Sequence, residues 1–231
     1  MSAFVTLWRY RVGRSVHRLG SLALPAFTVI ISGSVRWMME TPPGRAFALL
    51  PYVVAGVLVS IGAESSGGRL PLMLTHPVRR STYVLSHWAA SATIATGWAL
   101  LGLAVEAALL AMHGRGVTAL WAHAIDRAAW CTGVSAVLTC LSTRLPSWGH
   151  LGAFLLLGYL VGLGDGQVGP LLKPALNFAE DLLVPHFEVH GTFDTVPFAW
   201  SHVARYAAMV CGWLLVAVLL FRNREVSYAS R

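Results

Sequence analysis

The residues able to do chemistry are few in this chain and widely scattered. Lys173 is the only lysine, and it follows Pro170-Leu171-Leu172. No GxxxxGK[ST] loop therefore exists to cradle nucleotide phosphates, and the chain cannot hydrolyse ATP by that device. Neither GxSxG nor HExxH occurs, which removes the common hydrolase and metalloprotease arrangements. His186-Phe187-Glu188-Val189-His190, with Asp194 nearby, is the one cluster of metal-ligand types. Its spacing fits no specific zinc pattern, and an ordinary polar loop accounts for it. Cys131, Cys140 and Cys211 lie in apolar segments without a CxxC pair, and read as small buried hydrophobes. No catalytic group, bound cofactor or metal is expected on this chain.

The elements that must position any site are apolar. Of 231 residues, 56% are hydrophobic and 12% charged, and the mean hydropathy is +0.63. A soluble domain of this size needs more charge to cover its surface. Several apolar runs approach the roughly 20 residues that carry a helix across a bilayer. The expected fold is an all-α membrane protein of one domain, residues 1–231, with six transmembrane helices. Spans are expected near 20–39, 46–63, 83–112, 128–142, 148–164 and 202–221.

Residues 1–19 mix Arg9, Arg11, Arg14 and Arg18 with Phe4, Leu7, Trp8 and Tyr10. They read as an amphipathic helix lying in the interface and leading into the first span. Residues 165–201 contain apolar patches too short to span, which predicts re-entrant or surface helices between spans five and six. An even number of spans puts Arg9, Arg11, Arg14, Arg18, Arg69, Arg79, Arg80, Arg144, Arg222, Arg224 and Arg231 on one side. Arg36, Arg45, Arg115, Arg127, Lys173 and Arg205 fall on the other. The positive-inside rule then places both termini in the cytoplasm. The net charge of +7 is carried by arginines beside apolar runs, so anionic lipid headgroups are the expected partner and nucleic acid is not.

Two features stand out against this background. Glu106 falls within the third apolar run, where a buried ionisable side chain costs a few kcal/mol and reads as functional by default. A long, tilted span that carries Glu106 to the outer headgroups is the competing reading. The loop 64–82 is the other feature. Gly67-Gly68 ends the second helix, Pro71 suits the first turn of a new one, and Leu70, Leu72 and Leu74 form its apolar face. Pro77 ends that short helix, and Arg79-Arg80 meet the headgroups. A short apolar helix between two spans either docks in a groove of another protein or turns along the lipid.

The run Glu64-Ser-Ser-Gly67-Gly68-Arg69-Leu70-Pro71-Leu72-Met73-Leu74-Thr75-His76-Pro77-Val78-Arg79-Arg80 resembles the loop of ABC-2 type exporter permeases. That family carries an acidic residue, a glycine, a leucine-rich turn and then Pro-x-x-Arg before its third span. Glu64, Gly68, Leu72, Leu74, Pro77 and Arg80 stand at those positions. The layout agrees over the whole chain: an amphipathic entry helix, six spans, an insertion between spans five and six, and a basic tail. One departure is that Pro71 and Leu72 stand where the family often has a second acidic residue.

The resemblance implies the membrane half of a bacterial ATP-binding cassette exporter in the plasma membrane. Two copies, or one copy and a paralogue, would pair as a homodimer or heterodimer with separate P-loop ATPase subunits. ATP and magnesium would be bound on those partners. Glu64, Gly68, Leu70, Leu72, Leu74, Pro77 and Arg80 would form the coupling contact. Spans one, two and five would line the path, with Leu24, Phe27, Ile31, Tyr52, Val59, Phe154 and Tyr159 facing a drug, natural product, peptide or lipid. The alternatives are an ion-gradient-driven secondary transporter, in which Glu106 would be central, and a non-transporting resistance or scaffold protein.

Overall fold

A computed structural model describes residues 3–16, 78–112, 120–145, 149, 152–154, 156, 173–183 and 200–223. Among them the regular structure is entirely helical: α1 (Ala3–Val16), α2 (Arg80–Met112), α3 (Leu120–Ser142), α4 (Lys173–Leu183) and α5 (Trp200–Arg222). The expected spans 20–39 and 46–63, and most of 148–164, lie outside the described residues.

Among the described residues two helices are long and apolar enough to cross a membrane, Arg80–Val105 within α2 and the whole of α5. Only 28% and 17% of their most apolar windows are buried within the chain. The core helix of a soluble protein would be mostly buried, so this low cover is compatible with a membrane protein. Both helices agree with the expected third and last spans to within three residues. α3 differs. It begins at Leu120, eight residues before the expected span, and takes in Trp121, His123, Asp126 and Arg127 from what reads as a polar linker. Ala122, Ala124, Ala128 and Ala129 sustain the helix through these residues, alanine being the strongest helix former.

Three polar contacts and one cluster fix the register. The Trp88 indole donates to the Thr132 carbonyl at 3.1 Å, and the hydroxyls of Ser91 and Ser135 lie 3.5 Å apart. The Tyr206 hydroxyl donates to the Ala129 carbonyl at 2.7 Å. Tyr83 and Val84, at the start of α2, pack with Cys140 of α3 and with Ala217 and Phe221 of α5. Tyr83 and Val84 meet Cys140 while Ala95 and Ala99 meet Cys131, so α2 runs antiparallel to α3 and α5, which share one direction. α3 packs on both neighbours, and α1 packs on α2.

The shared surfaces are made of small residues. Ala90, Ala99, Ala122, Ala136 and Ala217 are fully buried, with Ser86, Ser91, Ser135 and Thr139 beside them. Small side chains let backbones approach closely, and van der Waals contact then holds helices together where water supplies no driving force. Several of the hydroxyls are satisfied within their own helix. Thr132 donates to the Ala128 carbonyl, and Thr139 to that of Ser135. Ser142 does so to Thr139 and Thr143 to Cys140.

Candidate functional site

The richest cluster lies where α2 begins. Arg11 of α1 is 2% exposed, and its guanidinium donates to the Tyr83 carbonyl at 3.3 Å and to the Ser86 hydroxyl. Its central carbon sits 4.4 Å from the centre of the Tyr83 ring. That ring stacks on Phe221 of α5, with centroids 5.4 Å apart and planes 9° from parallel. It also meets His87 edge-on at 5.0 Å, and the Tyr83 hydroxyl lies 3.3 Å from His87 Nε2. One aromatic ring thus joins the entry helix, the start of α2 and the end of α5.

A cation over a desolvated aromatic face gains about 2 kcal/mol, which offsets part of the cost of burying Arg11. A second anchor, the Trp8 indole, donates to the Thr93 hydroxyl at 3.2 Å. α1 is helical over Ala3–Val16 of the expected 1–19, and Arg11 is packed against α2. Replacing Arg11 with Met should keep the stem volume and remove the charge-assisted bonds, loosening α1 by about 1–3 kcal/mol. A fall in unfolding temperature in detergent, with faster labelling of a cysteine introduced in α1, checks this.

Basic residues gather at the same end. Arg80 opens α2, and its guanidinium donates to the Arg222 carbonyl in the last turn of α5. Such a bond satisfies a terminal carbonyl that the helix leaves open, and a cation there also suits the negative end of the helix dipole. Arg79 precedes α2, and Arg144 follows α3, its backbone N–H donating to the Leu141 carbonyl at 3.1 Å. Arg79, Arg80, Arg144 and Arg222 are all exposed.

A different contact ties in the segment between the last two expected spans. α4 occupies Lys173–Leu183, with Pro174 in its first turn. The Trp213 indole donates to the Leu182 carbonyl at 2.7 Å. Trp213 lies near the middle of α5 and packs against the Val134–Phe154 cluster, the Tyr83–Phe221 cluster and the Ala136–Leu214 cluster. The C-terminal end of α4 is therefore held level with the middle of a 23-residue apolar helix.

Of the residues expected to couple to an ATPase, Arg80 is described, while Glu64, Gly68, Leu70, Leu72, Leu74 and Pro77 lie outside the described residues. Of the expected path, Phe154 is described. It is buried against Val134, Val137 and Leu138, in contact with the chain's own helices. Leu24, Phe27, Ile31, Tyr52, Val59 and Tyr159 lie outside. His186, Glu188, His190 and Asp194 do so too, and among the described residues no group of His, Cys, Asp or Glu is arranged to hold a metal.

Glu106 lies within α2, with Ala107-Ala108-Leu109-Leu110-Ala111-Met112 continuing the helix beyond it. Since Ser91 faces Ser135 and the helices are antiparallel, Glu106 comes level with the first turn of α3, near Leu120 and Trp121. That turn belongs to the end of the bundle opposite the arginines.

Comparison with known proteins adds no relative. No protein-family model matches the chain, and no curated protein sequence matches it.

Sequence reasoning missed Arg11, Tyr83 and Trp213. Arg11 looks like Arg9 and Arg14 in its local context, and its partners lie 72 and 75 residues away. The usable signal was position: Trp8 and Arg11, three apart, share one helix face.

Proposed function

We propose that this chain is the membrane-spanning permease subunit of an ATP-binding cassette exporter, multi-pass in a bacterial plasma membrane with both termini cytoplasmic. It moves an amphipathic or hydrophobic substrate outward and leaves ATP and magnesium to a separate P-loop ATPase. A second permease, identical or paralogous, completes the transport unit.

The observation that carries this reading is the junction at Arg80. The final arginine of the Pro77-x-x-Arg80 pattern is the first residue of α2, so any force on the loop enters a spanning helix directly. There the same residue holds the last turn of α5, and three residues on, Tyr83 receives Arg11 from α1. A partner that shifts the loop between two positions therefore acts on three helices through one point. A two-state contact of this kind is what transmitted conformational change requires.

Two further points support it. α3 and α5 share a direction, as fourth and sixth spans must. The Trp213–Leu182 bond fits a re-entrant α4, because backbone at membrane depth has to be satisfied by protein.

Purification of the tagged chain from native membranes in mild detergent, with partners identified by mass, tests the proposal. A stoichiometric soluble ATPase is expected. A chain reproducibly free of any ATPase would sink the exporter reading.

A further inference from the structure

The arginine end of α5 continues into an exposed apolar face. Leu215 is 61% exposed and Leu219 48%, and Arg222 beyond them is exposed as well. Spacings of four and then three residues put all three on one side of the helix. Cys211, also exposed, extends that side by a further turn. Arg80 lies against the end of it, its guanidinium on the Arg222 carbonyl.

We infer that this face is a binding site for one anionic phospholipid, with the phosphate held by Arg222 beside Arg80 and an acyl chain lying along Leu219 and Leu215. Charge and apolarity together decide the occupant. A soluble anion would match the arginines and leave the leucines uncovered. A zwitterionic lipid would cover the leucines and gain less from the Arg222 guanidinium. Only an anionic head joined to a hydrocarbon tail matches both along one helix face, and arginine presents a planar fork that suits phosphate oxygens. The inference shares the membrane-spanning reading given above and is independent of whether an ATPase is coupled.

The test is native mass spectrometry of the delipidated full chain in mild detergent. It is titrated with phosphatidylglycerol and with phosphatidylcholine of the same acyl composition. A saturable preference for one phosphatidylglycerol is expected. Arg222→Gln should reduce that preference roughly five-fold, the loss of about one arginine at a membrane surface. The variant keeps the backbone carbonyl that Arg80 grips, so the fold is spared. Arg222→Lys should restore most of the preference, and Leu219→Ser should weaken retention of both lipids. Equal retention of the two lipids by the native chain, or a preference untouched in Arg222→Gln, overturns the inference. Efficient Cys211–Cys211 cross-linking between copies in native membranes overturns it as well, since a second copy would then cover the face. ATPase co-purification is unaffected by any of these outcomes, which separates this inference from the exporter reading.

Discussion

Trp213→Ala should be the most damaging single substitution in the described region, lowering stability by about 3–5 kcal/mol, the usual cost of truncating a packed aromatic. Trp213 sits between three groups of side chains drawn from α2, α3, α5 and the short helical stretch at Phe154. Truncation opens a void that touches all of them. It also strips the Leu182 carbonyl of the indole that donates to it, and an unsatisfied carbonyl away from water costs about 1–3 kcal/mol. The two contributions are separable. Trp213→Phe retains most of the ring and loses only the donor, so it should fall between native and alanine forms. Its particular signature should be faster hydrogen exchange in α4, with α3 and α5 little changed. Thermal unfolding in detergent reads the first effect and exchange mass spectrometry the second. An alanine variant as stable as the native chain would show that the bundle closes without this side chain.

The second large effect is functional. Replacing Leu72 and Leu74 with Asp should release the ATPase and abolish export while leaving insertion and folding intact. Two charges on the apolar face of a docking helix are desolvated without partners if the contact forms, at several kcal/mol each. That is enough to turn a tight complex into an undetectable one. Neither leucine lies in a predicted span, so membrane insertion is spared. Co-purification of the ATPase at undiminished yield would remove the loop from the coupling role and with it the main ground for the family resemblance.

Among the described residues, the long helices were legible because long apolar runs need no tertiary knowledge. α2 and α5 emerge from hydropathy alone, and α4 falls within the segment 165–201 expected to hold short helices. The start of α3 was illegible for a physical reason. Asp126 and Arg127 depress its apolarity, while helicity depends on backbone propensity and continues through them. At the end of a span such residues reach water or headgroups at little cost.

The contacts at the basic end were illegible for another reason. Arg11 pairs with α2, and Arg80 with a carbonyl separated from it by 142 residues. Nothing in a local pattern selects one arginine from several. For Glu106 the sequence offers burial within the span or a place at the outer headgroups, and the register against α3 brings its backbone level with the first turn of that helix.

The hydroxyls between α2 and α3 carry a last consequence, for motion. Thr132, Thr139, Ser142 and Thr143 spend their protons on carbonyls of their own segment, and the Ser91–Ser135 approach, at 3.5 Å, is a weak bridge. Across this seam the Trp88 indole on the Thr132 carbonyl is the firm polar tie, so any axial motion of α2 along α3 has to break or carry that bond.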